Sequence, residues 1–211
     1  MTALRGNHEE DFAWYVSILH QIDETYQLAT DPRSNADSGA LYDTAKYVLR
    51  AGGIGAQFFD MYGTVGRLLN DEAATLADLD AWAERLRALP LYRELEIGGR
   101  KCVIVHAGWP GSADSPEAED FCLNAREEAY RSDALPQGLI VAGHTPTVLP
   151  GEFCFTGGRV FRYADPETLC GFYDIDCGCA LGKRYPGARL ACIRLEDERV
   201  YYVSSADAPL P

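Results

Sequence analysis

Leu139-Ile140-Val141-Ala142-Gly143-His144-Thr145-Pro146-Thr147 is a short apolar run that stops on glycine and histidine and gives way to turn formers. It reads as a buried strand whose C-terminal end presents an imidazole on a loop. Val103-Ile104-Val105-His106-Ala107-Gly108 repeats the design. A third stretch, Leu4-Arg5-Gly6-Asn7-His8-Glu9, puts a glycine where a strand is expected to end and a helix to begin. That is where α/β folds carry their chemistry. The Asn7 amide oxygen can ligate a hard divalent cation, and His8 beside it can hand a proton to a leaving oxygen. An N-cap role for Asn7 is the plain alternative. Of the four histidines, His8, His20, His106 and His144, three fall at expected strand ends close to glycine. Convergence on a metal accounts for that placement better than chance does.

Arg5-Gly6-Asn7-His8-Glu9, His106-Ala107-Gly108 and Gly143-His144-Thr145-Pro146 resemble the third, fourth and fifth motifs of the calcineurin-like metallophosphoesterases. The branch is that of the PPP-type serine/threonine protein phosphatases and their bacterial relatives. Ile175-Asp176-Cys177-Gly178 and the run from Arg189 to Leu195 are similar to the closing strands of the bacterial members. The resemblance implies an α/β fold, a two-sheet sandwich flanked by helices, and a site with two divalent cations (manganese, iron or zinc) that activate a hydroxide. It makes Asn7, His106 and His144 ligands of the second metal and His8 the proton donor. Glu9 and Arg5 have supporting roles, and Arg126, between the two late histidines, grips the phosphoryl oxygens, with Arg131 as the fallback. The physical case for Arg126 is that a guanidinium fork holds two phosphate oxygens at once.

Family members also carry Asp-x-His and Gly-Asp-x-x-Asp-Arg-Gly, about sixty residues before the point that matches Asn7, and these have no counterpart here. Residues 1–203 are therefore expected to be the C-terminal part of the family domain, N-terminally truncated, with 204–211 as a tail. Such a form is expected to hold one metal at most and to turn over weakly or not at all. Its substrate would be a phosphoprotein or a phosphorylated small molecule. A nucleotide or dinucleoside polyphosphate hydrolase is the alternative within the same chemistry, and a non-catalytic binding or scaffold protein is the alternative outside it.

The composition suits an ordinary globular chain: 211 residues, 47% hydrophobic and 24% charged. With 19 basic against 32 acidic residues the net charge is −13, which argues against nucleic acid as a partner. Seven cysteines, odd in number and without a Cys-x-x-Cys pair, are expected to be reduced thiols of a cytoplasmic protein. No signal peptide is read at the N-terminus, and no apolar run approaches the roughly 20 residues that span a bilayer.

Along the chain, apolar spacing of three and four predicts a helix over 10–26, with His20 off its apolar stripe and solvated or partly packed. A polar loop over 31–39, a short helix over 41–49 stopped by Gly52-Gly53, and a variable insertion over 54–69 where substrate choice would lie come next. A helix over 75–89 is expected to turn Leu76, Leu79, Trp82, Ala83, Leu86 and Leu89 to one face. Strands over 92–97 and 101–105 flank Gly98-Gly99 as a hairpin that delivers His106. A helix over 117–130 carries Arg126. Strands are expected over 139–141, 153–155, 160–163, 171–175, 188–195 and 200–203. Asp174 and Asp176 alternate on one of them, in a strand-face or turn-bonding role.

Overall fold

The computed structural model describes residues 3–29, 65, 68, 73–130, 134–182 and 184–204. The expectations placed on 31–39, on 41–49 and its Gly52-Gly53 stop, on 54–69 apart from Val65 and Leu68, on Arg131 and on the tail beyond Ser204 lie outside the described residues. The chain divides into two compact units: Asn7–Leu89, which is helical, and Met1–Gly6 with Pro90–Pro211, which holds the β-structure.

In the helical unit, α1 (Asn7–Ala29) begins three residues before the apolar periodicity does. Glu9 and Glu10 in its first turn suit the positive end of the helix dipole. Phe12, Ala13, Tyr15, Val16 and Leu19 form its buried stripe and share a core with Val65, Leu79 and Ala83. The second helix, α2 (Leu76–Arg87), starts at a capping box: Thr75 Oγ1 accepts from the Asp78 amide at 3.2 Å and the Asp78 carboxylate accepts from the Thr75 amide at 2.8 Å. That bonding holds the Asp78 carboxyl below its ordinary range. Trp82, expected on the inner face, is 37% exposed. It sits at the rim of the stripe centred on Leu79 and Ala83, where an indole is too large to be covered. His20 pairs with Asp80 at 2.7 Å on the half-exposed surface, a packed-surface role that fits its position off the stripe.

The other unit is built on a five-stranded mixed sheet in the order β1-β2-β3-β5-β4. β1 (Tyr92–Ile97) and β2 (Arg100–Val105) pair antiparallel, with Ile97 opposite Arg100. Gly98 and Gly99 join them in two residues, both at positive φ (59° and 82°), as a hairpin turn matching strand twist requires. β3 (Leu139–Ala142) lies parallel to β2 and to β5 (Gly171–Asp174), while β4 (Phe161–Ala164) closes the far edge antiparallel to β5. All four residues of β3 are buried, which is why its sequence is apolar without alternation.

One face of the sheet, through Val103, Val105, Ile140, Ala142 and Phe172, packs on Trp109, Cys122, Ala125 and Ala129. The other, through Cys102, Leu139 and Val141, meets Ile193 and Leu195 of a separate antiparallel pair, β6 (Arg189–Arg194) and β7 (Arg199–Ser204). A polar clamp fixes the β6–β7 turn. The Tyr173 hydroxyl donates to the Glu198 carboxylate, Arg100 donates to the same carboxylate at 3.0 Å and to the Gly138 carbonyl at 2.8 Å, and Arg162 reaches the Glu198 carbonyl at 2.9 Å. The expected α/β class is therefore present as a mixed sheet with helices.

Three local expectations need correction. Residues 3–6 form no strand; Arg5 makes one backbone bond, to the Pro90 carbonyl at 2.9 Å. The helix over 117–130 is two pieces, α3 (Pro116–Asn124) and α4 (Glu127–Tyr130), interrupted where Ala125 turns extended with ψ 141°. Both pieces pack on Gly108: a Cβ there would stand 2.6 Å from the Phe121 ring, 2.8 Å from the Ala125 Cβ and 3.0 Å from the Ala129 Cβ, so they close on bare backbone. Residues 153–155 are turns rather than a strand. Their backbone bonds are local, Phe155 to the Glu152 carbonyl at 3.1 Å, and the Phe153 ring stacks on Tyr130 at 4.9 Å instead of facing a sheet.

All seven cysteines are free thiols, five of them buried. Burial pushes Cys102, Cys122 and Cys177 up to about 11, so they stay protonated and unreactive at neutral pH.

The hairpin turn gives a clean test. Neither Gly98 nor Gly99 would bring a new Cβ within 4 Å of anything, so only the left-handed backbone opposes a side chain. Gly98→Ala and Gly99→Ala are each expected to lower unfolding free energy by about 1–2 kcal/mol in urea titrations, with an unchanged m-value.

Candidate functional site

Parallel register decides where the imidazoles go. Cys102, Val103 and Ile104 of β2 stand opposite Leu139, Ile140 and Val141 of β3, so the two strands end side by side. The Gly143 amide extends the pairing by donating to the His106 carbonyl at 2.8 Å. His106 and His144 thus leave the carboxyl ends of adjacent parallel strands, and His106 Nε2 lies 3.1 Å from His144 Nδ1 with the rings edge to face. One nitrogen carries the shared proton and the other accepts it.

His144 is held in an unusual backbone state. Its φ is +74°, and the Thr145 amide donates to the Gly143 carbonyl at 2.9 Å, closing a three-residue turn centred on the histidine. Non-glycine residues in such turns are strained by about 1–3 kcal/mol and persist only when their surroundings overdetermine them. Here the surroundings do so: the Ile175 amide bonds the Ala142 carbonyl at 2.8 Å, and the Thr147 amide bonds the Asp176 carbonyl at 2.8 Å. Cys154 Sγ donates to the Thr145 carbonyl at 3.4 Å. Gly143 leaves room for Asp176, whose Cβ would lie 3.5 Å from a Cβ at 143.

The segment that brackets this loop is the end of β5. Asp174 Oδ1 accepts from the Asp176 amide and Asp176 Oδ1 accepts from the Gly178 amide, each at 2.9 Å, so both carboxylates shape turns, as their alternation suggests. Asp174 is 1% exposed, and its second oxygen has no hydrogen-bond partner among the described residues. Burial drives its pKa well above the ordinary carboxylate range, with the neighbouring Asp176 charge adding to the rise.

The other residues singled out in the sequence are placed as follows. Arg126 occupies the break between α3 and α4, and its guanidinium lies 3.8 Å from Glu152 Oε1. Arg5 forms an ion pair with Glu119 of α3. Asn7, His8 and Glu9 open α1 in the helical unit, with Asn7 and Glu9 half-buried and His8 exposed. Glu152 was not legible as a site residue; its only signal is the turn sequence Pro150-Gly151-Glu152 soon after the His144 motif.

The separation of the imidazole nitrogens suits a hydrogen bond and, with the shared proton lost, also two ligands of one cation. Two nitrogens each about 2.0–2.1 Å from one metal, at 90–109° to each other, stand roughly 2.9–3.4 Å apart. The observed 3.1 Å lies in that span. Among the described residues no group of three or more His, Cys, Asp or Glu side chains could hold a metal ion, so the pair supplies two donors of that kind. Among the described residues, too, no helix is long and apolar enough to cross a membrane. No protein-family model matches the chain, and no curated protein matches it significantly.

Asp174 generates a pH prediction. Its folded pKa is raised, so between its unfolded value near 4 and its folded value the native state holds a proton that the unfolded chain has released. Stability should then fall as pH rises above about 4, by up to about 1.4 kcal/mol per pH unit, until the folded pKa is passed. Asp174→Asn keeps the carbonyl acceptor without the charge. Urea midpoints of wild type and variant should converge near pH 4 and diverge towards pH 7, with the variant the more stable.

Proposed function

We propose that this protein is a metal-dependent phosphoesterase of the calcineurin-like kind, in the branch of the PPP-type serine/threonine phosphatases and their bacterial relatives. In this reading the sheet and its opposing β6–β7 pair belong to that family's two-sheet sandwich. The observation that carries the reading is the His106–His144 pair, two imidazole nitrogens 3.1 Å apart at the ends of adjacent parallel strands. The left-handed backbone at His144 supports the same reading, because strain of that kind collects at functional sites.

His106 and His144 act as neutral imidazole ligands, with Asn7 as the amide ligand that the sequence motif adds. Manganese, iron or zinc suits that mixed donor set. When bound, such a cation absorbs the charge that develops on phosphoryl oxygens. Arg126 contributes the fixed positive fork that orients the phosphoryl group, and His8 donates the proton that the leaving oxygen needs. The backbone turn around His144 and its contact with His106 support that role by holding the two rings side by side.

Metal content per chain after manganese loading, together with p-nitrophenyl phosphate hydrolysis, tests the reading. Bound manganese that is lost at least tenfold in affinity on His106→Ala or His144→Ala supports it, as does turnover that His8→Ala abolishes. Manganese binding that neither histidine variant alters would sink it.

A further inference from the structure

The geometry points to Glu152 as a resident counter-anion of Arg126, which an incoming oxyanion must displace, so that Glu152 sets both the affinity and the charge selectivity of the phosphoryl position. The inference rests on the reading of Arg126 as an oxyanion-binding residue. Arg126 stands outside regular helix, after Ala125 leaves α3 with ψ 141°. Glu152 stands on the turn that follows the His144 motif, where the Leu149 amide bonds the Pro146 carbonyl at 3.0 Å and Gly151 takes φ +96°. The next residue anchors that turn to the helix that follows the arginine. The Phe153 ring stacks on Tyr130 of α4 at 4.9 Å and meets Phe161 at 5.8 Å, while Cys154 ties the turn to Thr145. One loop therefore carries both His144 and Glu152, and its aromatic anchor holds the turn that brings the carboxylate to 3.8 Å from Arg126.

The contact itself is weak in kind. At 3.8 Å it is a charge pair without a hydrogen bond, and the side chains are 49% and 32% exposed. A guanidinium has five donors in a planar fork, and one distant carboxylate oxygen satisfies none of them well. A phosphate dianion brings two oxygens at bonding distance and twice the charge, so it gains on replacing Glu152. A singly charged anion exchanges one negative charge for another and gains little. Glu152 thereby discriminates against monoanions, and it shields Arg126 on a chain whose net charge of −13 leaves many other carboxylates to compete for it.

The test is inorganic phosphate binding to the full chain, stripped of metal with chelator, followed by phosphorus NMR line broadening up to tens of millimolar. Glu152→Gln is expected to bind phosphate about two- to fivefold more tightly, the range that loss of an exposed ion pair supplies. Glu167→Gln on the β4–β5 turn removes the same charge elsewhere and should leave binding unchanged. Arg126→Gln should abolish binding in both backgrounds, and circular dichroism and urea midpoints check that each variant is folded. If Arg126→Gln abolishes binding but Glu152→Gln leaves it unaltered, or matches Glu167→Gln, the counter-anion role is wrong and the oxyanion role of Arg126 stands. If phosphate binds equally well without Arg126, or binds none of the proteins, the reading of Arg126 falls and this inference with it.

Discussion

The parallel pairing of β2 with β3 is the constraint on which the sheet unit depends. Antiparallel neighbours would send two such histidines to opposite ends of the sheet, whereas parallel neighbours in matched register deliver both to one end. The cost is that both strands must be buried on both faces. That requirement dictates apolar residues at every position of β3, with helices on one side of the sheet and the β6–β7 pair on the other. The crossover between β2 and β3 supplies α3 and α4, which pack closely on the turn after His106 at Gly108. A single register choice thus fixes the imidazole pair.

Holding His144 at positive φ and Asp174 in a dry interior are both unfavourable, and they are linked. Asp174 bonds the Asp176 amide, and Asp176 in turn accepts from Thr147 while lying against the place where Gly143 lacks a Cβ. The buried carboxyl therefore braces the far end of the same loop whose centre is strained. Stability is given up at two neighbouring positions for one well-defined loop geometry, as expected of a site rather than of a connecting turn.

What the sequence made legible was whatever depends on short-range chemistry. The apolar run ending at His144, the Gly98-Gly99 turn and the helix that starts after Thr75 each follow from a few adjacent residues, and each was found where expected. What escaped depends on contacts distant in the chain. Nothing between Glu117 and Tyr130 breaks helical periodicity, so the interruption at Ala125 and its packing against Gly108 were not legible, with Ala125 and Ala129 at a spacing of four as the faint trace of that packing. Phe153-Cys154-Phe155 has the composition of a strand, yet no neighbouring strand is there to receive it, and an aromatic stack with Tyr130 takes its place. The depth at which Asp174 is buried could not be read from its alternation with Asp176, because alternation gives a face and not a degree of cover.

Two arginines in the sheet unit differ in how far their donors are used. Arg100 spends its donors on the Gln137 and Gly138 carbonyls and on the Glu198 carboxylate, with distances from 2.8 to 3.3 Å, and so pins the β6–β7 turn to the sheet. All three of its nitrogens are engaged, and removing it would take away a bond from each of the Gln137 and Gly138 carbonyls and a charge from beside Glu198. Arg126 meets one carboxylate at 3.8 Å across a half-exposed gap and contributes little to holding its loop in place. Hydrogen bonding from all three nitrogens marks the first as architecture. The fork of the second, on the crossover that joins the two histidine-bearing strands, is left with one distant carboxylate, the state on which its proposed oxyanion role rests.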